Sequence, residues 1–159
     1  MPGFRFICPD FNGDLYATRS QLEELLKETR IDAVIASSFG AVSALDALLI
    51  DLPKVLINPC MDPAFELKHA GLFRDELWLD IMGDYVAEIL SVRQHAPALI
   101  FIGESEDLLS QSYGEKVRDL WGVSPENTEI INLKGEGHRL SPQALEVVAG
   151  LSQKLFERS

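Results

Sequence analysis

The chain has 159 residues, 47% of them hydrophobic, and a mean hydropathy of +0.05; that is enough for one domain with its own core and too apolar for a disordered chain. A formal net charge of −11 argues against nucleic acid and anionic membranes as partners, since both attract basic patches. No apolar run approaches the roughly 20 residues needed to span a bilayer, and Met1-Pro2-Gly3-Phe4-Arg5 lacks the layout of a secretion signal, so a cytoplasmic protein is expected.

Phe4 to Cys8 reads as a first strand, and Pro9 to Asp14 as turn chemistry. Ser20 followed by Glu23 forms a capping box near a helix start, and Leu22, Leu25 and Leu26 give that helix one apolar stripe. Ala33 to Ala36 is a short apolar run suited to a strand buried on both faces. It passes through Ser37-Ser38-Phe39-Gly40 into Ala41, Val42, Ala44, Leu45, Leu48 and Leu49 at helical spacing, closed by Pro53. Lys54 to Asn58 is a third strand, broken by Pro59 to Pro63. Residues 61–96 change character and read as two or three short helices inserted as a cap or lid. Phe73, Trp78, Met82 and Tyr85 there suit either an acyl pocket or the core of that cap. Ala98 to Ile102 is a fourth strand, followed by the loop Gly103 to Asp107 and a helix from Tyr113 to Trp121. Thr128 to Leu133 is a fifth strand and Lys134 to His138 a loop. Ser141 as N-cap, with Pro142 at the first helical position, starts a last helix. Cys8 and Cys60 each end an expected strand and read as free buried thiols in a reducing compartment.

This alternation predicts a single α/β domain over 1–159. It would be three-layered, around a mainly parallel sheet of about five strands with right-handed crossovers. Ligands of such sheets bind beyond the carboxyl ends of the strands. Strands in sequential order would put most helices on one face and leave chiefly the last helix for the other. An under-covered apolar face favours a homodimer.

Ser38 stands where a strand turns sharply into a helix, with small residues two before it (Ala36) and two after it (Gly40). That is the pattern of a nucleophile elbow, and the N–H of Phe39 would then be one oxyanion donor. The same residues also fit a plain strand-to-helix turn with a capping serine. A serine hydroxyl needs a positioned base, usually histidine. His69 and His95 lie away from strand ends, whereas His138 follows the last strand among glycines. Asp107 and Glu106, after the fourth strand, are the candidates for the carboxylate that orients the ring, with Asp107 favoured. The order serine, acid, histidine is that of α/β-hydrolases.

At these residues the chain resembles the small, YqiA-like esterase branch of the α/β-hydrolase superfamily. The resemblance is carried by Ile7-Cys-Pro-Asp10, Ala36-Ser-Ser-Phe-Gly-Ala41, Ile57-Asn-Pro-Cys60, Gly103-Glu-Ser-Glu-Asp-Leu-Leu109 and Gly135-Glu-Gly-His-Arg-Leu140, in order and over most of the chain. It implies a minimal hydrolase fold, Ser38 as nucleophile and His138 as base, acting on a small acyl ester or thioester without metal or cofactor. Ala36 and Ala41 replace two glycines of the family pattern. The family's strand ending in H-G-[FL], whose loop gives the second oxyanion donor, has no counterpart here; Phe11 or Asn12 would have to replace it. A weak or inert relative acting as a binding or assembly protein is therefore the alternative. A flavodoxin-like domain cradling a phosphate at Ser37-Ser38 is a third reading.

Overall fold

A computed structural model describes residues 3–11, 15–60, 68, 71, 76–92, 94–105 and 127–158. Helix α1 (Leu15–Glu28) is followed by β1 (Val34–Ser37), α2 (Gly40–Ala44), a 3₁₀ turn (Ala47–Leu49) and β2 (Lys54–Ile57). Helix α3 (Glu76–Leu90), β3 (Ala98–Gly103), β4 (Thr128–Leu133) and α4 (Pro142–Phe156) complete the order. The four strands form one parallel sheet in the order β1-β2-β3-β4.

The central strands β2 and β3 bury both faces, which is why they read as nearly unbroken apolar runs. The outer strands do not: Ile35 and Ser37 of β1 and Glu129 and Asn132 of β4 are exposed, so β1 is not the strand buried on both faces that its apolar run suggested. The row Ala36, Leu56, Ile100 and Ile130 faces α2 and α3, packing against Val42, Leu45, Met82 and Tyr85. The row Ile57, Phe101 and Ile131 faces the other way, onto Ala144, Val148 and Leu151 of α4. Among the described residues, α2 and α3 share one face and α4 lies on the other. Met82 and Tyr85 belong to the core under α3. Phe73 and the side chain of Trp78 lie outside the described residues, as do Asn12, Glu106, Asp107, His69, the expected helix from Tyr113 to Trp121 and most of 61–75.

Three further expectations are corrected. Phe4 to Cys8 is not a strand. Residues 3–10 are exposed and in no ladder, Cys8 is exposed rather than buried, and the Phe4 ring rests at 6.1 Å from that of Phe156. A strand is stable only when a neighbour takes its backbone groups, and among the described residues no strand pairs with this one. Helix α1 starts at Leu15, so Ser20 lies inside it, exposed, while Leu22 is buried as the stripe requires. The helix after the elbow is not continuous. It ends at Ala44, and Asp46 caps a new 3₁₀ turn by accepting from the Leu48 N–H at 3.0 Å. Asp46 is fully buried because the Tyr85 hydroxyl donates to it at 3.1 Å and the Arg19 guanidinium stands 3.7 Å away. Arg19 also pairs with Glu88 at 3.0 Å, tying α1 to α3. Among the described residues no helix is long and apolar enough to cross a membrane.

Candidate active site

Ser38 follows directly on β1 in left-handed backbone, with φ 52°. Few residues other than glycine adopt that region, and when one does the position is often functional. The strain is sustained because both sides of the turn are bonded. The Ser38 N–H donates to the Ile57 carbonyl at 2.9 Å, and the Ser38 carbonyl accepts from Cys60 N–H at 3.0 Å and Ala41 N–H at 3.1 Å. A β-carbon on Gly40 would lie 4.0 Å from that of Ala36, an ordinary contact, so alanine at 36 fits the turn without crowding. Phe39 packs its ring against the core below. Among the described residues no backbone hydrogen bond leads from the Phe39 N–H.

The next strand end is Asn58, also left-handed (φ 42°) and 1% exposed. Its side-chain amide nitrogen donates to the carbonyls of Gly137 and His138, both at 3.0 Å. Its amide oxygen accepts from the Gly103 N–H at 2.8 Å. One side chain therefore joins the ends of β2 and β3 to the loop after β4. Sequence reasoning marked Asn58 as a strand-end residue and as part of the Ile57-Asn-Pro-Cys60 motif, without giving it a role. The signal available was an asparagine between a strand and a proline, and its partners lie 79 and 80 residues away in the chain.

The loop carrying His138 is held from below as well. Ser105 N–H donates to the Glu136 carbonyl at 2.9 Å. The Glu136 carboxylate accepts from the Ser141 N–H and hydroxyl, each at 2.7 Å, and the same hydroxyl caps α4 at Ala144. Those two bonds from Ser141, the backbone one first, hold the Glu136 carboxyl below the usual carboxylate range. Gly103 is where the loop presses on β3. A β-carbon there would meet the backbone of Glu136 and Gly137 at 2.5 to 2.9 Å, so only glycine permits the approach.

Ser38 and His138 thus stand on the same carboxyl rim of the sheet, on loops joined through residues 58–60, and both are half-buried. His95, by contrast, is exposed. Phe11 is half-buried, and its carbonyl accepts from the Thr18 hydroxyl at 3.5 Å. Cys60 is buried.

No protein-family model matches the sequence, and no curated protein matches it either. Solved structures do match in shape. Est1E from Butyrivibrio proteoclasticus, solved with ferulic acid bound, superposes with a TM-score of 0.60 at 14% identity, over 92% of this chain and 70% of that one. DcsB in complex with its substrate analogue gives 0.52 at 14% identity, over 90% and 72%. A provisionally assigned lipase (lip1) from Acinetobacter baumannii AYE gives 0.57 at 12% identity, over 97% and 72%. At these identities the likeness is one of fold: a parallel sheet with helices on its faces, of the α/β-hydrolase kind.

Proposed function

We propose that this chain is a serine hydrolase of the YqiA-like kind, acting on a small acyl ester or thioester. The Ser38 hydroxyl attacks the acyl carbon and its proton passes to the His138 ring. The oxyanion is held by the Phe39 N–H, and a carboxylate, Asp107 or Glu106, orients the imidazolium. His138 then protonates the departing alkoxide or thiolate. The acyl-serine left behind is hydrolysed by a water from which the same ring takes the proton. The observation that carries this reading is the left-handed Ser38, bonded on both sides at the end of β1, on the rim that also holds His138. The ligands and assignments of the structural neighbours, ferulic acid and a lipase, are compatible with an acyl substrate. The reading takes the protein to be cytoplasmic, to use no metal or cofactor, and to pair as a homodimer.

One observation favours the alternative, an inert relative that binds or assembles. Among the described residues, 3–11 join no ladder, so Phe11 gains no fixed position from the sheet as a second oxyanion donor. Loss of one such donor typically costs about 10²–10³ in rate. A fluorophosphonate probe separates the two readings. Labelling of the wild type that disappears in Ser38→Ala supports the hydrolase; absence of labelling in the folded wild type supports the alternative.

A further inference from the structure

Resting on the hydrolase reading, we propose that Asn58 is the positioning residue of this site. Its amide, bonded to the carbonyls of the two peptide links that flank His138, sets where the His138 ring stands relative to Ser38. The bonds run at 3.0 Å to Gly137 and 3.0 Å to His138, from a side chain that is 1% exposed and so screened from competing water. The Gly103 N–H fixes the amide's orientation at 2.8 Å, leaving both amide hydrogens for the loop. Two residues on, Cys60 N–H holds the Ser38 carbonyl at 3.0 Å. Residues 58–60 therefore set the spacing between the nucleophile's turn and the base's loop.

The residue type follows from three demands at once. The backbone at 58 is left-handed (φ 42°), a region asparagine tolerates better than most side chains. The head group must donate twice and accept once, which aspartate cannot do. The stem must be short, which excludes glutamine. The strands themselves are already joined by their ladders, so the two bonds to 137 and 138 serve the loop, not the sheet. Asn58 touches no reacting atom in this scheme. It acts through His138, where a displacement of about 1 Å costs on the order of 10² in rate.

The test compares wild type with Asn58→Gly and Asn58→Asp in hydrolysis of p-nitrophenyl acetate, alongside NMR of the His138 ring. Glycine keeps the left-handed backbone without strain and removes only the amide. Aspartate keeps the shape and removes both donors. The expected result in each folded variant is a fall in kcat of about 10–100-fold with KM changed less than about threefold, and displaced, broadened His138 ring signals. Unaltered ring signals in both variants would overturn the proposal, as would a kcat within about threefold of wild type. If wild type itself neither hydrolyses ester nor labels with fluorophosphonate, the hydrolase reading fails by itself, and the ring signals still decide whether Asn58 positions His138.

Discussion

Ser38 keeps its side chain in left-handed backbone at φ 52°, which costs a residue bearing a β-carbon about 1–2 kcal/mol. Glycine at this position escapes that cost and alanine does not. Ser38→Gly is therefore expected to be more stable than Ser38→Ala by about 1 kcal/mol, a difference of about 2–4 °C in Tm for a chain of this size, with both variants inactive. Calorimetry of the pair checks it; equal melting temperatures would mean the turn stores no strain. Lys54 poses a different problem. It is 1% exposed on β2, and its ammonium donates to the carbonyls of Leu49, Ile50 and Leu52 at 2.6, 3.3 and 2.9 Å. Burial pushes its pKa down from 10.5 to about 8, with Asp51 opposing. A folded pKa below the unfolded one means the fold disfavours the charged form. Stability is then lowest below about pH 8, rises toward pH 10.5 and levels above it. The rise is at most about 3 kcal/mol. Urea denaturation of wild type against Lys54→Met should show the gap widening in favour of wild type between pH 8 and 10. A gap that stays constant would mean the three carbonyls keep the ammonium charged through that range.

Between elements, the loop from β4 to α4 is tied at Glu136, whose carbonyl accepts from Ser105 N–H and whose carboxylate accepts from Ser141. Its depressed pKa stems from the two bonds from Ser141. The stabilisation is present above the ordinary carboxylate range and is lost as pH falls through the lowered folded value. Glu136→Gln, which lacks the charge and keeps only one of the two accepting oxygens, should melt below wild type at pH 7 and match it once the carboxylate is protonated. Melting curves from pH 7 to pH 3 test this, and an offset that persists to the acid end would contradict it. This loop and the elbow were legible in the sequence because each follows an apolar strand and carries its own turn chemistry: Ser38 before Gly40, His138 among glycines, Ser141 before Pro142. What was not legible depends on distant partners. The break at Asp46 is set by Tyr85 and Arg19. The role of Asn58 is set by Gly137 and His138. Phe4 to Cys8 has strand composition, but its state depends on a neighbour that sequence alone does not supply. Of the proposed triad, the serine turn and the histidine loop lie among the described residues, and the proposed acid, Asp107 or Glu106, does not.

For the whole molecule, the sequential strand order determines which part of the sheet the described helices leave uncovered. Helix α4 covers the middle of its face, over Val55, Leu99 and Phe101. At the β1 end the same row continues to Ile35, paired in register with Val55 yet 42% exposed. Among the described residues β1 is also an edge strand, bonded only to β2. An apolar side chain beside an open edge favours association with a second copy, by burial of the face and by pairing of the edge. Opposing it is a net charge of −11 on each chain, whose repulsion is strong at low salt and screened within about 8 Å at 0.15 M. Apolar burial is insensitive to this screening, so the balance shifts with ionic strength. The expected outcome is a mass near twice 17.7 kDa by light scattering at micromolar concentration and 0.15 M salt, drifting toward the monomer at low salt. Ile35→Glu should be monomeric throughout with an unchanged fold. A wild type that stays monomeric at high salt would mean that the β1 end of this face, though apolar, is too small to hold two copies together.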